Sequence, residues 1–158
     1  MSALAAEAEF LSSDGQYVTV RIGGQLFGLP ILNVHEVFEP EQIARVPLAP
    51  DEIEGVLNLR GRIVTTISMR RLLGFPPSAE GGRGMAVGIE FKGESYGLVI
   101  DEVGEVMTLD RARREPVPSN LDRRWADVVA GVHRLDGELM LILDVERALA
   151  RVTAPVDR

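Results

Sequence analysis

The chain has 158 residues, 46% of them apolar, and 24 acidic against 17 basic side chains give a net charge of -7. That fits one domain, or two small subdomains folding as a unit around a real core, and argues against wholesale disorder. The acidic balance disfavours nucleic acid, no apolar run approaches the roughly 18 residues of a membrane span, and Met1–Phe10 lacks the basic start of a signal peptide.

Residues 1–15, Ala- and Glu-rich and ending in Ser12-Ser13-Asp14-Gly15, read as a flexible tail. From Tyr17, Val18, Val20 and Ile22 alternate with Thr19 and Arg21, and Gly23-Gly24 turns the chain back through Gln25–Leu29. Further strands are expected over Val34–Phe38, Val56–Leu59 and Ile63–Ile67, with a tight turn at Arg60-Gly61. Met69–Leu73 fits one helical turn, stopped by Gly74 and Pro76. Residues 76–84, PPSAEGGRG, form the clearest linker. Strands follow at Met85–Phe91, Tyr96–Ile100 and Val103–Met107, the first two joined by Lys92-Gly93. After an irregular stretch comes a helix candidate near Leu121–Val129, then a Val132–Leu135 and Glu138–Leu143 hairpin around Asp136-Gly137, a favoured type I′ pair. Val145–Ala150 reads as a final short helix and 151–158 as a tail. Many short strands at close spacing are a sandwich or small-barrel signature.

The chain also repeats itself. Residues 17–37 set against 86–106, an offset of 69, match at eight of 21 positions: Val18/Val87, Gly24/Gly93, Gly28/Gly97, Leu29/Leu98, Ile31/Ile100, Val34/Val103, Glu36/Glu105 and Val37/Val106. Residues 55–73 match 131–149 at an offset of 76, through Gly55/Gly131, Val56/Val132, Leu59/Leu135, Gly61/Gly137, Arg71/Arg147 and Leu73/Leu149. Two copies of one β unit are expected, the first over about 16–75 and the second over about 85–150, with strand exchange between them left open. Each copy alone buries little, so the two should pack together and leave a groove.

The stretch Gly55-Val56-Leu57-Asn58-Leu59-Arg60-Gly61-Arg62-Ile63-Val64 resembles the CheW family of chemotaxis coupling proteins, with their pattern G-V-x-N-L-R-G-x-I-V-P-x-x-D-L-R. Phe27-Gly28 through Val34-His35-Glu36-Val37, Pro47 and Pro50, Tyr96-Gly97 through Val103, and Gly137–Asp144 are similar to further family segments, so the resemblance covers about residues 15–150. Thr65 and Ser68 depart from it, standing where the family has Pro and Asp.

The resemblance implies an all-β fold of two five-stranded SH3-like barrels related by a pseudo-two-fold, with short helices at the connections and C-terminus. It implies a stand-alone, non-catalytic adaptor without cofactor or metal. Its partners would be the regulatory domain of the chemotaxis histidine kinase and the cytoplasmic tip of methyl-accepting chemoreceptors. It would be cytoplasmic without inserting into the membrane, a monomer when free, and part of a ring or array at membrane-associated receptors when assembled.

Residue by residue, Val34, Gly55, Leu57, Asn58, Arg60, Val103 and Val106 are the candidates for receptor binding, and Glu36 and Arg62 for the kinase or the rim. Arg60, a planar and permanently charged donor, either meets a partner's carboxylate or carbonyl or shapes the groove through bonds within the chain. Asn58 is expected to fix local backbone. In a strand Val34 and Val37 face opposite sides, so one joins the core and the other lines the groove. Gly55 answers either a need for unusual φ or a close partner approach. Glu36 would tune specificity and encounter more than affinity.

Enzyme readings find little support. With no cysteine there is no disulfide, thiolate metal site, Fe–S cluster or cysteine nucleophile. Lys92, the only lysine, sits outside any G-x-x-x-x-G-K-S/T loop, and G-x-S-x-G is absent. The acids Asp51, Glu52 and Glu54, and Asp101, Glu102 and Glu105, lack calcium-loop or acid/base spacing. Asp101 and Asp144 read as strand-end or helix-capping residues, His35 and His133 as surface histidines, and Arg111–Arg114 as a solvated loop. Two alternatives accompany the adaptor: a coupling module of the same fold in another two-component pathway, and a small-barrel ligand or oligonucleotide binder. Binders of the latter kind stack ligands on exposed aromatics, and aromatic residues of any kind make up only 5% here.

Overall fold

Successive positive φ angles at Gly23-Gly24, Arg60-Gly61 and Lys92-Gly93 close three two-residue hairpin turns in a computed structural model that describes residues 15–78 and 84–153. Such I′ turns match the right-handed twist of paired strands. They join β1 (Gln16–Ile22) to β2 (Gln25–Pro30), β4 (Ile53–Leu59) to β5 (Arg62–Ser68), and β6 (Met85–Phe91) to β7 (Glu94–Ile100). The fourth hairpin, β9 (Val129–Leu135) to β10 (Glu138–Leu143), differs from expectation. Of its turn residues only Gly137 has positive φ, so the turn is not type I′; Asp136 keeps the negative φ that an L residue prefers.

Short β3 (Glu36–Phe38) follows β2 after a 3-10 turn at Ile31–Asn33, and β8 (Glu102–Thr108) follows β7 after the single residue Asp101. The strand expected from Val34 therefore starts two residues later, and Val34 belongs to the crossover. Three short helices complete the described chain: α1 (Met69–Leu73), α2 (Arg123–Ala126) and α3 (Val145–Thr153). Ser68 and Asp144 cap α1 and α3, accepting from the Arg71 and Arg147 backbone N–H groups at 3.2 and 3.0 Å. Where the family pattern has Asp, Ser68 thus still supplies a capping oxygen. The helix expected near Leu121–Val129 shrinks to α2, and β9 begins at Val129. The C-terminal tail drawn from residue 151 is also corrected: α3 runs on to Thr153 because Val152 falls on its buried face with Val145, Ala148 and Leu149. The tail residues 1–14 and 154–158, and linker residues 79–83, lie outside the described residues.

The fold is mostly β, two five-stranded sheets in the orders β8-β1-β2-β10-β9 and β3-β6-β7-β5-β4. Replacing each strand by its repeat mate turns one order into the other, which is the expected pseudo-two-fold. The repeats exchange their first hairpins: β1–β2 joins β8, β9 and β10, while β6–β7 joins β3, β4 and β5. Parallel pairings, β2 on β10 and β5 on β7, stitch the halves together. Sheet boundaries therefore do not follow the division into 16–75 and 85–150, and each sheet needs strands from both repeats.

Each sheet buries both faces. One cluster takes Val18, Val20, Ile22, Phe27 and Leu29 from the first sheet and Ile67, Val87, Ile89, Leu98 and Ile100 from the second, with α1 and α3 packed in. The outer clusters are Tyr17, Leu26, Met140 and Ile142 in the first sheet and Phe38, Leu57, Val64, Ala86 and Val99 in the second. Two-sided burial explains why Leu26–Leu29 and Met140–Leu143 run nearly unbroken in apolar residues, where a half-solvated strand would alternate.

Candidate functional site

The two crossovers between sheets place the repeat-mate valines in matching settings. Val34 and Val103 are partly buried against the shared core. Val37 and Val106 are 39% and 51% exposed on the edge strands β3 and β8. An edge strand with a free apolar side chain is a surface a partner can cover.

The β4–β5 turn stands beside β3. Arg60 occupies a left-handed turn position at φ 53° and donates from Nη2 to Glu36 Oε1 at 2.5 Å. Residues assigned separately to receptor and to rim are thus one ion pair within the chain. Asn58 Oδ1 accepts from the Gly61 backbone N–H at 2.8 Å and pins the same turn. Arg62 and Ile63, next along, are exposed.

Two candidates are buried away from the surface. Leu57, 4% exposed, lies in the outer core of the second sheet because it points inward from β4 with Val64 opposite it. Gly55 is buried at φ 154°, and a Cβ there would lie 2.2 Å from the Ala44 carbonyl oxygen. The close approach that demands glycine comes from within the chain: Ala44 and Val56 exchange backbone hydrogen bonds of 2.8 Å in each direction.

His133 also corrects the sequence reading. It is 2% exposed, packs 5.7 Å from the Tyr17 ring, and its Nε2 has no hydrogen-bond partner among the described residues. Burial and the Arg114 charge lower its pKa, outweighing Asp110 and Glu115, which raise it. The Arg111–Arg114 run forms a 3-10 turn capped by Asp110, and Arg114 donates to the Ala130 carbonyl at 2.9 Å.

A polar cleft of about 620 Å³ opens beside α1 and the second crossover, lined by Arg45, Glu54, Ser68, Arg70, Asp101 and Glu102 among others. Its strongest feature is the Arg70–Asp101 pair, with Nε to Oδ1 at 2.8 Å and Nη2 to Oδ2 at 2.7 Å. Burial pushes the Asp101 carboxyl up, but the Arg70 hydrogen bonds, the Gly23 N–H and the Arg70 charge hold it below the usual carboxylate value. Among the described residues no three His, Asp or Glu side chains are grouped to hold a metal ion.

Neither the Glu36–Arg60 pair nor the Arg70–Asp101 pair followed from the sequence. The repeat alignment gave the one available hint, by setting Asp101 opposite an uncharged residue.

The family model of the CheW-like domain matches residues 16–153. A chemotaxis protein CheW from Helicobacter pylori is 28% identical over 136 residues, covering 86% of this chain and 82% of its own. The CheW of Klebsiella aerogenes is 26% identical over 135 residues, covering 85% and 81%. Among solved structures, the scaffolding protein TtCheW from Thermoanaerobacter tengcongensis superposes with a TM-score of 0.76 at 28% identity, over 85% of this chain and 87% of that one.

Proposed function

Since this chain belongs to the CheW-like domain family, a family of non-catalytic scaffold proteins, we propose that it couples chemoreceptor tips to the chemotaxis histidine kinase. What supports this reading above all is that the family match runs from β1 to the end of α3 and so includes both sheets and both crossovers. The relatives named chemotaxis protein CheW point the same way.

In this reading the receptor's helical tip lies against the crossover and edge-strand valines Val34, Val103 and Val106. The kinase regulatory domain docks near Glu36 and Arg62, and Arg60, expected at the receptor contact, is assigned to this side because it is paired with Glu36. Full burial of one valine side chain is worth about 1.5–3 kcal/mol, while association costs an estimated 4–15 kcal/mol in lost freedom. Two or three such anchors therefore make only weak single contacts, and tight assembly comes from many simultaneous contacts in an array. The chain works in the cytoplasm and is recruited to the receptors; no helix among the described residues is long and apolar enough to cross a membrane.

Pull-down with receptor and kinase tests this. Val34→Trp should weaken receptor capture and Arg60→Asp kinase capture. Unchanged capture of both partners by both variants would contradict the site assignment.

A further inference from the structure

Asp101 is the single residue between β7 in the second sheet and β8 in the first, so the chain crosses between sheets at this point. Its surroundings bind it to both. Its backbone N–H donates to the Arg21 carbonyl on β1 at 3.0 Å. Its Oδ2 accepts from the Gly23 N–H in the β1–β2 turn at 2.8 Å. Both carboxylate oxygens are held by Arg70 on α1, the helix that continues β5 of the second sheet. Arg70 Nη1 in turn donates to the Pro76 carbonyl at 2.8 Å. The Phe75 ring fills the space a Cβ on Gly23 would need, 2.5 Å away, so the first sheet's turn is seated directly against the segment after α1.

We propose that Arg70 and Asp101 are positioning residues that set the angle between the two sheets and, through it, the relative placement of the two docking surfaces. The second half of this statement rests on the coupling role proposed above. Apolar packing holds the sheets together but is non-directional. A bidentate guanidinium–carboxylate pair is directional, with two parallel bonds that fix distance and rotation together. The side chains are only 23% and 26% exposed, so water competes weakly for them.

The pseudo-two-fold sets the two crossovers side by side. At the offsets of 69 and 76 residues, Asp101, Gly23 and Arg70 correspond to Leu32, Lys92 and Glu146. The first crossover, from β2 to β3, therefore has Leu32, exposed, where the second has Asp101. The first crossover joins the sheets through a longer segment with a 3-10 turn and no ion pair at this position, so the pair is particular to the one-residue crossover at Asp101.

The chain has no native cysteine, so two introduced ones label cleanly. Spin labels at Glu90→Cys on β6 and Asp136→Cys in the β9–β10 turn, both exposed, report the distance between sheets by pulsed electron resonance. The expected result is one narrow distance distribution in the parent and a shifted or broadened one in both Asp101→Asn and Arg70→Lys. Their β-sheet circular dichroism should be unchanged, and binding to the kinase regulatory domain and the receptor tip each about fivefold weaker or more. Parent-like distributions in both variants would overturn the proposal. So would loss of the circular-dichroism signal at room temperature, which would make the pair a folding requirement. The distances are read without partners, so a parent that binds neither partner while its variants still shift would end the coupling role and leave the positioning of the sheets standing.

Discussion

The Trp125 indole donates from Nε1 to the Leu73 carbonyl oxygen at 2.8 Å, so a residue of the second repeat satisfies a free carbonyl at the end of a helix in the first. The same ring meets Phe27 of the first sheet and Phe75 after α1 at centroid distances of 5.7 and 5.3 Å. Trp125→Phe keeps most of the ring contacts and leaves the carbonyl unpaired, a loss of about 1–3 kcal/mol. Thermal melting followed by circular dichroism should fall by roughly 2–4 °C per kcal/mol for a chain of this size.

His133 contributes acid sensitivity in the range just below neutral pH. Its folded-state pKa is lowered, so the folded protein favours the neutral ring and the unfolded chain takes up the proton more readily. Its contribution to stability is in place above the unfolded value of about 6.5 and is lost as pH falls through that value towards the folded one. Urea midpoints should drop between about pH 8 and about pH 5 in the parent. They should drop less in His133→Leu, which keeps an apolar side chain in the Tyr17 environment. Equal slopes in the two proteins would remove His133 from the explanation.

Gly55→Ala should destabilise the protein strongly, because its Cβ would press on the Ala44 backbone and φ 154° is unfavourable for alanine. A loss of about 2 kcal/mol or more is expected in urea unfolding. Any loss of partner binding should then follow the unfolded fraction, as befits a residue buried away from partners.

The Glu36–Arg60 pair joins an exposed guanidinium to a partly exposed carboxylate at the surface, so deleting it should change stability by at most about 1 kcal/mol. Its role is tested by exchange. If the pair shapes the surface, Glu36→Arg with Arg60→Glu restores binding that each single change weakens. If each side chain meets a partner directly, the double exchange binds no better than the singles.

Local structure was readable where local chemistry decides it. Gly24, Gly61 and Gly93 announced the hairpins, and the repeat announced the duplicated sheet. The hairpin exchange was not readable, because the two copies share one apolar pattern and β1–β2 suits the strands of either half. Glu36 and Arg60 lie 24 positions apart, on elements whose proximity only the completed second sheet creates. His133 sits in a strand whose two faces are both covered, so its neighbours gave no alternation from which to read its burial.

The most direct test of the coupling role is co-sedimentation of the purified histidine kinase with membranes bearing the chemoreceptor, with and without this chain. The expected result is that the kinase pellets with receptor membranes only when the chain is present, and that Val34→Trp abolishes the effect. Kinase that pellets equally well without the chain, or a chain that stays in the supernatant with both partners present, would contradict it.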